Sequence, residues 1–244
     1  VMTTSIHGFT DYRIDWVIKF GGSILADLQV AAKLIATLAQ LSREGHRLLI
    51  LPGGGPTDKT IEAIDRQVSF DLETAHQACA LAQDQTGLMI CDPTFSDQLA
   101  PCRTLTEALQ CLRAGRTPVL LPSLLIQVAD PIQRTWEVTS DAVAGWLAWL
   151  VGARNVAILT DVDGIFQPDR IGVADALYSE IDATQAAELG PTSIDKCLAA
   201  FLAAKQLDCH VLNAWHPQRL QALVRGEPAV GTKVIGSRYD AIGT

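Results

Sequence analysis

Apolar residues come in short blocks closed by glycine turns, and between the blocks they recur at helical spacing. Residues 16–20, Trp-Val-Ile-Lys-Phe, are apolar apart from Lys19 and end on Gly21-Gly22-Ser23. Val30, Leu34, Leu38 and Leu41 then repeat every three or four positions, which puts them on one face of a helix over 28–43, with Gly45 just past its end. Residues 47–51, Arg-Leu-Leu-Ile-Leu, form a second block, stopped by Pro52-Gly53-Gly54-Gly55-Pro56. Strand, glycine turn, helix, strand, glycine turn reads as a βαβ unit, whose crossover makes the two strands parallel.

The same reading predicts helices over 57–69 and 71–85, a short strand at 88–91, a helix over 106–114 stopped by Gly115, and a strand at 118–121. An irregular stretch follows over 126–138, then a strongly apolar helix over 140–151 and a buried strand at 155–160. Farther on come helices over 183–189 and 194–206, a strand at 209–212, a short helix over 216–224 and a last strand within 231–236. No internal repeat, low-complexity linker or charge run interrupts this order.

Composition narrows the picture. In 244 residues, 48% hydrophobic against 19% charged fits helices packed on both faces of a buried parallel sheet, an α/β fold. A net charge of -8, from 19 basic and 27 acidic residues, argues against nucleic acid as a partner, because neutralising phosphates along a strand needs a basic face. A phosphorylated small molecule needs only one or two lysines and a ring of amides. The six cysteines lack a Cys-x-x-Cys pair or zinc spacing with histidine, and they read as reduced thiols. Pairing of Cys102 with Cys91 or Cys111 is left open. The polar start over 1–15 has no signal-peptide pattern, and the longest apolar stretch, 142–153, is too short to span a bilayer. A cytoplasmic protein with no membrane partner is expected.

The two glycine turns each end a strand, at the sheet edge where ligands of parallel sheets bind. Glycines there let backbone N–H groups approach an anion, and Lys19, two residues before Gly21, can reach the same anion. Neither turn matches the P-loop or the dinucleotide fingerprint. Thr139-Ser140-Asp141 opens the apolar helix as an ordinary N-cap would. Thr160-Asp161-Val162-Asp163-Gly164-Ile165-Phe166 follows a strand and reads by itself as an Asp-Gly turn.

Taken in order, Lys19-Phe20-Gly21-Gly22-Ser23, Pro52-Gly53-Gly54-Gly55, Thr139-Ser140-Asp141-Ala142, the stretch from Leu159 to Phe166 and Gly231-Thr232-Lys233-Val234-Ile235 resemble the amino-acid-kinase superfamily across nearly the whole chain. That resemblance implies a three-layer αβα sandwich with a central, mostly parallel sheet. It implies one domain over 1–244, with an acceptor-side lobe over about 1–135 and a nucleotide-side lobe over about 136–244. ATP with Mg²⁺, a small-molecule acceptor, no metal ligands of the protein's own and a homo-oligomer belong to the same expectation. Lys19 would reach the transferring phosphoryl group, Asp141 would organise the catalytic lysines, and Lys196 would be the second lysine. Gly21, Gly22, Ser23, Gly53, Gly54 and Gly55 would hold phosphates. Thr160, Asp161, Asp163, Gly164, Ile165 and Phe166 would hold the nucleotide. The chain departs from the family where Pro191-Thr192-Ser193-Ile194-Asp195-Lys196 replaces the usual Gly-Gly-Met-x-x-Lys.

Within the superfamily, Pro52-Gly53-Gly54-Gly55-Pro56-Thr57-Asp58, the helix over 75–85 and Trp136-Glu137-Val138-Thr139-Ser140-Asp141 are similar to the aminomethylfuran phosphate kinase-like group of methanofuran biosynthesis. A phosphate monoester would then be the acceptor and a diphosphate the product. His76, Asp84 and Ser140 would line the acceptor pocket. Uridylate, isopentenyl phosphate or an amino-acid carboxylate are alternative acceptors. Molybdate storage and a non-catalytic nucleotide-binding paralogue are alternatives of another class; Lys19, Asp141 and Lys196 disfavour the paralogue, and storage would be expected to show a longer N-terminal arm and a different second glycine turn.

Overall fold

The computed structural model describes residues 13–129, 133–153, 155–189 and 192–236; the first twelve residues of the polar start and Pro191 of the expected lysine loop lie outside them. The first βαβ unit is as its pattern predicts. β1 (Trp16–Phe20) and β2 (Leu48–Pro52) pair in parallel, Trp16 opposite Leu48, and α1 (Leu28–Arg43) crosses between them. Asp27 caps α1 by accepting from the backbone N–H groups of Gln29 and Val30. On the other side of β1 lies β5 (Asn155–Thr160), also parallel. Outward from β2 come β4 (Thr117–Leu120) and β3 (Leu99–Cys102); outward from β5 come β7 (Cys209–Asn213), β8 (Thr232–Ile235) and β6 (Glu180–Asp182). Every pairing is parallel except β7 with β8.

Side chains alternate between the faces of a strand, so each strand feeds two cores. On one face Ile18, Phe20, Leu48 and Ile50 pack with Leu34, Ile35 and Leu38 of α1 and Leu220 of α9 (Pro217–Val224). On the other face Val17, Leu49, Leu51 and Ile158 pack with Trp146 and Leu147 of α6 (Ser140–Val151) and Leu198 and Leu202 of α8 (Lys196–Lys205). Helix, sheet and helix make the expected three layers. Each fully buried Leu or Ile contributes roughly 1.5–3 kcal/mol by leaving water.

Four elements differ from the pattern reading. Residues 88–91 are no strand: α3 (Leu72–Ile90) runs to Ile90, because Ala80, Gln83, Thr86, Gly87 and Ile90 are buried at helical spacing. The strand lies instead at Leu99–Cys102, where Pro101 disguises it. β3 is an edge strand, so a residue without an N–H leaves no ladder partner unserved. β6 has only three residues, two of them acidic, and shows no pattern of its own. Part of the stretch expected to be irregular is α5 (Ser123–Ala129). The remaining helices are α2 (Gly55–Val68), α4 (Leu105–Arg113) and α7 (Ala183–Glu188). The six cysteines are free thiols, and among the described residues no helix is long and apolar enough to cross a membrane.

Candidate functional site

The ends of β1, β2 and β5 lie side by side, which brings the two glycine turns together. Gly53 N–H donates to Phe20 O at 2.9 Å. A Cβ on Gly22 would lie 2.1 Å from the backbone N of Gly55, so the turns touch main chain to main chain and no other residue fits there. Ser140 reaches the same place: its Oγ would be 3.2 Å from a Cβ on Gly53. Ser23 is exposed in the short 3₁₀ turn that follows, Gly22–Ala26.

Strand alternation decides where Lys19 goes. It shares the face of Val17, under α6, and there its Nζ meets Asp141 Oδ1 at 2.9 Å. Asp141 is the second residue of α6, behind the cap formed by Thr139, whose Oγ1 accepts from Asp141 N–H at 3.2 Å. The lysine and aspartate side chains are 14% and 8% exposed, so water screens the pair little.

Lys196 is placed differently. It is the exposed first residue of α8 and makes no ion pair among the described residues. Its predecessor Asp195, which the pattern reading passed over, makes the connection to α6. Asp195 Oδ2 accepts from Thr139 N–H at 2.9 Å, Thr139 Oγ1 at 2.7 Å and Ala142 N–H at 3.2 Å, while Oδ1 accepts from Leu198 N–H. One carboxylate thereby caps two helices and fixes Asp141 and Lys196 to a common frame. Burial pushes the Asp195 carboxyl above the usual range; the Thr139 hydrogen bond opposes that and the charge of Asp141 adds to it. The sequence reading starts this helix at 194, which hides Asp195 as its cap, and the second helix it caps lies more than fifty residues away.

Two cavities flank this centre. One, of about 210 Å³, is bounded by α2, α3, α5 and the start of α6, and is lined by Asp58, His76, Gln83, Trp136 and Ser140 among others. His76 and Ser140, two of the three residues expected at an acceptor pocket, line this cavity. Asp84 is not: its carboxylate accepts from the backbone N–H and the hydroxyl of Ser123, holding the start of α5, and it does not line the cavity. Helical spacing cannot tell a wall residue from one committed to the next helix. Asp58 and Gln83 line the cavity instead.

The second cavity, of about 220 Å³, lies under the loop after β5 and is lined by Thr160, Asp161, Gly164 and Phe166, with Thr192 and Ser193 opposite. Asp163 and Ile165 support this loop rather than line it. Asp163 accepts from Asn213 and pairs with Arg219; burial alone would raise its carboxyl, but these two partners hold it below the usual range. Ile165 is buried, and its N–H donates to Thr232 Oγ1 at 2.8 Å, whose hydroxyl donates on to Tyr178 O at 2.6 Å. Among the described residues no three His, Cys, Asp or Glu side chains are grouped to hold a metal ion.

The model of the Amino acid kinase family matches residues 16–213. The [5-(aminomethyl)furan-3-yl]methyl phosphate kinase of Methanocaldococcus jannaschii is 26% identical over 221 residues, covering 90% of this chain and 97% of that one. An acetylglutamate kinase of Halothermothrix orenii is 22% identical over 275 residues, covering 93% of each. In fold, the uridylate kinase of Archaeoglobus fulgidus superposes with a TM-score of 0.71 at 19% identity, over 91% of this chain and all of that one.

Proposed function

Since the chain belongs to the amino acid kinase family, and so to the phosphotransferases, we propose that it moves the γ-phosphoryl group of ATP onto a phosphate monoester, giving a diphosphate. Aminomethylfuran methyl phosphate, and with it a step of methanofuran biosynthesis, is the acceptor we favour. The support is the match to a kinase of that ester over nearly the full length of both chains.

One observation carries the kinase reading. A shielded Lys19–Asp141 pair stands where the two glycine turns meet, and β1, which bears Lys19, lies between the strands leading to the two cavities. ATP would lie in the cavity after β5, and the acceptor in the cavity between α2 and α6. The acceptor's phosphate oxygen attacks the γ-phosphorus while the bond to the leaving ADP breaks. In such a transfer the protein aligns the two oxygens and stabilises charge on the moving group. Lys19 supplies a positive charge where that charge spreads, and Asp141 keeps the ammonium aimed. Amides of the glycine turns would hold the phosphates, apart from those of Gly53 and Gly54, which already serve Phe20 O and the Asp58 carboxylate. Mg²⁺ would arrive on the nucleotide's own phosphates and screen them, which suits a chain whose described residues offer no ligand cluster. Lys196, exposed at the start of α8 and held there through Asp195, would supply a second positive charge. A silent paralogue gives the Lys19–Asp141 pair no use.

ADP release from Mg²⁺-ATP with a panel of acceptors tests this reading. The panel holds aminomethylfuran methyl phosphate, UMP, isopentenyl phosphate, acetylglutamate, glutamate and molybdate. Selective turnover of the furan phosphate is expected. Turnover of a carboxylate alone would remove the phosphate-acceptor reading.

A further inference from the structure

Phosphate binding does not explain Asp58. It lies one turn along α2 from Gly54, and its carboxylate is packed so closely on that glycine that a Cβ there would fall 2.1 Å from Cγ. Its carboxylate accepts hydrogen bonds from the Gly54 backbone N–H and the Cys79 thiol, yet its Oδ1 is buried without a hydrogen-bond partner. Among the described residues Asp58 makes no ion pair, whereas Glu62, one turn farther, is tied to Lys59 and Arg66. A lone carboxylate beside a phosphate-binding turn repels a purely anionic acceptor, and its burial disfavours the charged form. A second wall residue has the same need. Gln83 is only 6% exposed, lines the same cavity, and its Oε1 is buried without a partner.

Each side chain thus keeps one buried oxygen, Asp58 Oδ1 and Gln83 Oε1, that lacks a donor. A primary ammonium has three N–H donors, no acceptor and a positive charge. Half-exposed Trp136 offers the same cavity an aromatic wall for a cation or a flat ring. We infer that Asp58 is a specificity residue which selects an acceptor carrying a cationic amine besides its phosphate, with Gln83 as the second receiving group. This rests on the phosphate-acceptor reading above. It gives the carboxylate two tasks, holding the amine and turning away phosphates that bring no positive charge.

The test compares aminomethylfuran methyl phosphate with the analogue in which methyl replaces aminomethyl. Wild type should favour the amine by roughly 10- to 100-fold in kcat/KM, the worth of one charge-assisted hydrogen bond. Asp58→Asn should bring the two acceptors within a few-fold of each other. Equal use of both acceptors by wild type, or a preference that survives in Asp58→Asn, would overturn the inference. Should Asp58→Asn fail to fold, Gln83→Met carries the test and should narrow the preference in the same direction. A second arm needs no phosphoryl transfer: furfurylamine, but not 2-methylfuran, should raise the Tm of wild type and leave that of Asp58→Asn unmoved. A furfurylamine shift without turnover of either acceptor supports the amine site and sinks the phosphate-acceptor reading. Turnover of both acceptors at equal rates with no shift does the reverse.

Discussion

Lys19 is the one charged residue in an otherwise apolar strand, and strand alternation carries it to the α6 face, where Asp141 waits 2.9 Å away. A charge in such a place is costly unless paired, so both partners are tied to one arrangement. Lys19→Ala and Asp141→Asn should each lower kcat on the order of 10²–10³-fold, the loss seen when one preorganised charge-stabilising group is removed. Steady-state kinetics on variants whose circular dichroism matches wild type would check this; a fall of less than a few-fold would free that residue from the mechanism. Asp195 supports a prediction of another kind. Asp195→Ala removes the cap of two helices and should cost about 1–4 kcal/mol by urea denaturation. Its pH dependence has a definite sign. Because burial raises the folded-state pKa, the stability linked to its protonation is fully present below the ordinary aspartate value, about 3.9, and lost as pH rises through the raised one. Wild type should therefore lose stability relative to Asp195→Asn across that window. Lys19 and Asp141 were legible because each sits inside a local motif. The seats of Asp195, Asp58 and Gln83 were not, because each depends on elements distant in the chain.

At the scale of elements, long helices and buried strands were legible from periodicity, and the failures share a cause. α3 was cut short because Leu88 and Ile90 look like a strand once the helical count is broken at Gly87. β3 was missed because Pro101 is unacceptable inside a sheet but harmless on its edge. The loop after β5 was legible as a turn, but not its tether to β8. Thr232 there accepts from Ile165 N–H and donates to Tyr178 O. Thr232→Val strands a buried N–H, and should cost about 1–3 kcal/mol in chemical denaturation. It should also raise KM for ATP more than KM for the acceptor, because the loop bounds only the cavity after β5. Equal changes in both would place the nucleotide elsewhere.

Over the whole molecule, one sheet carries the order of events. β1 is central, with the glycine turn and α2 beyond β2 on one side and the loop after β5 on the other, so two ligands can approach one lysine from opposite flanks. That plan was readable from the order of five short motifs along the chain; the walls of the cavities, made of helix faces, were not. The most direct test of the account is phosphorus NMR of a reaction holding the protein, Mg²⁺-ATP and aminomethylfuran methyl phosphate. The monoester signal should give way to the coupled pair of signals of a diphosphate ester as ADP appears, and Lys19→Ala should slow this strongly. ADP appearing together with free inorganic phosphate, while the monoester signal stays intact, would contradict transfer to a phosphate acceptor.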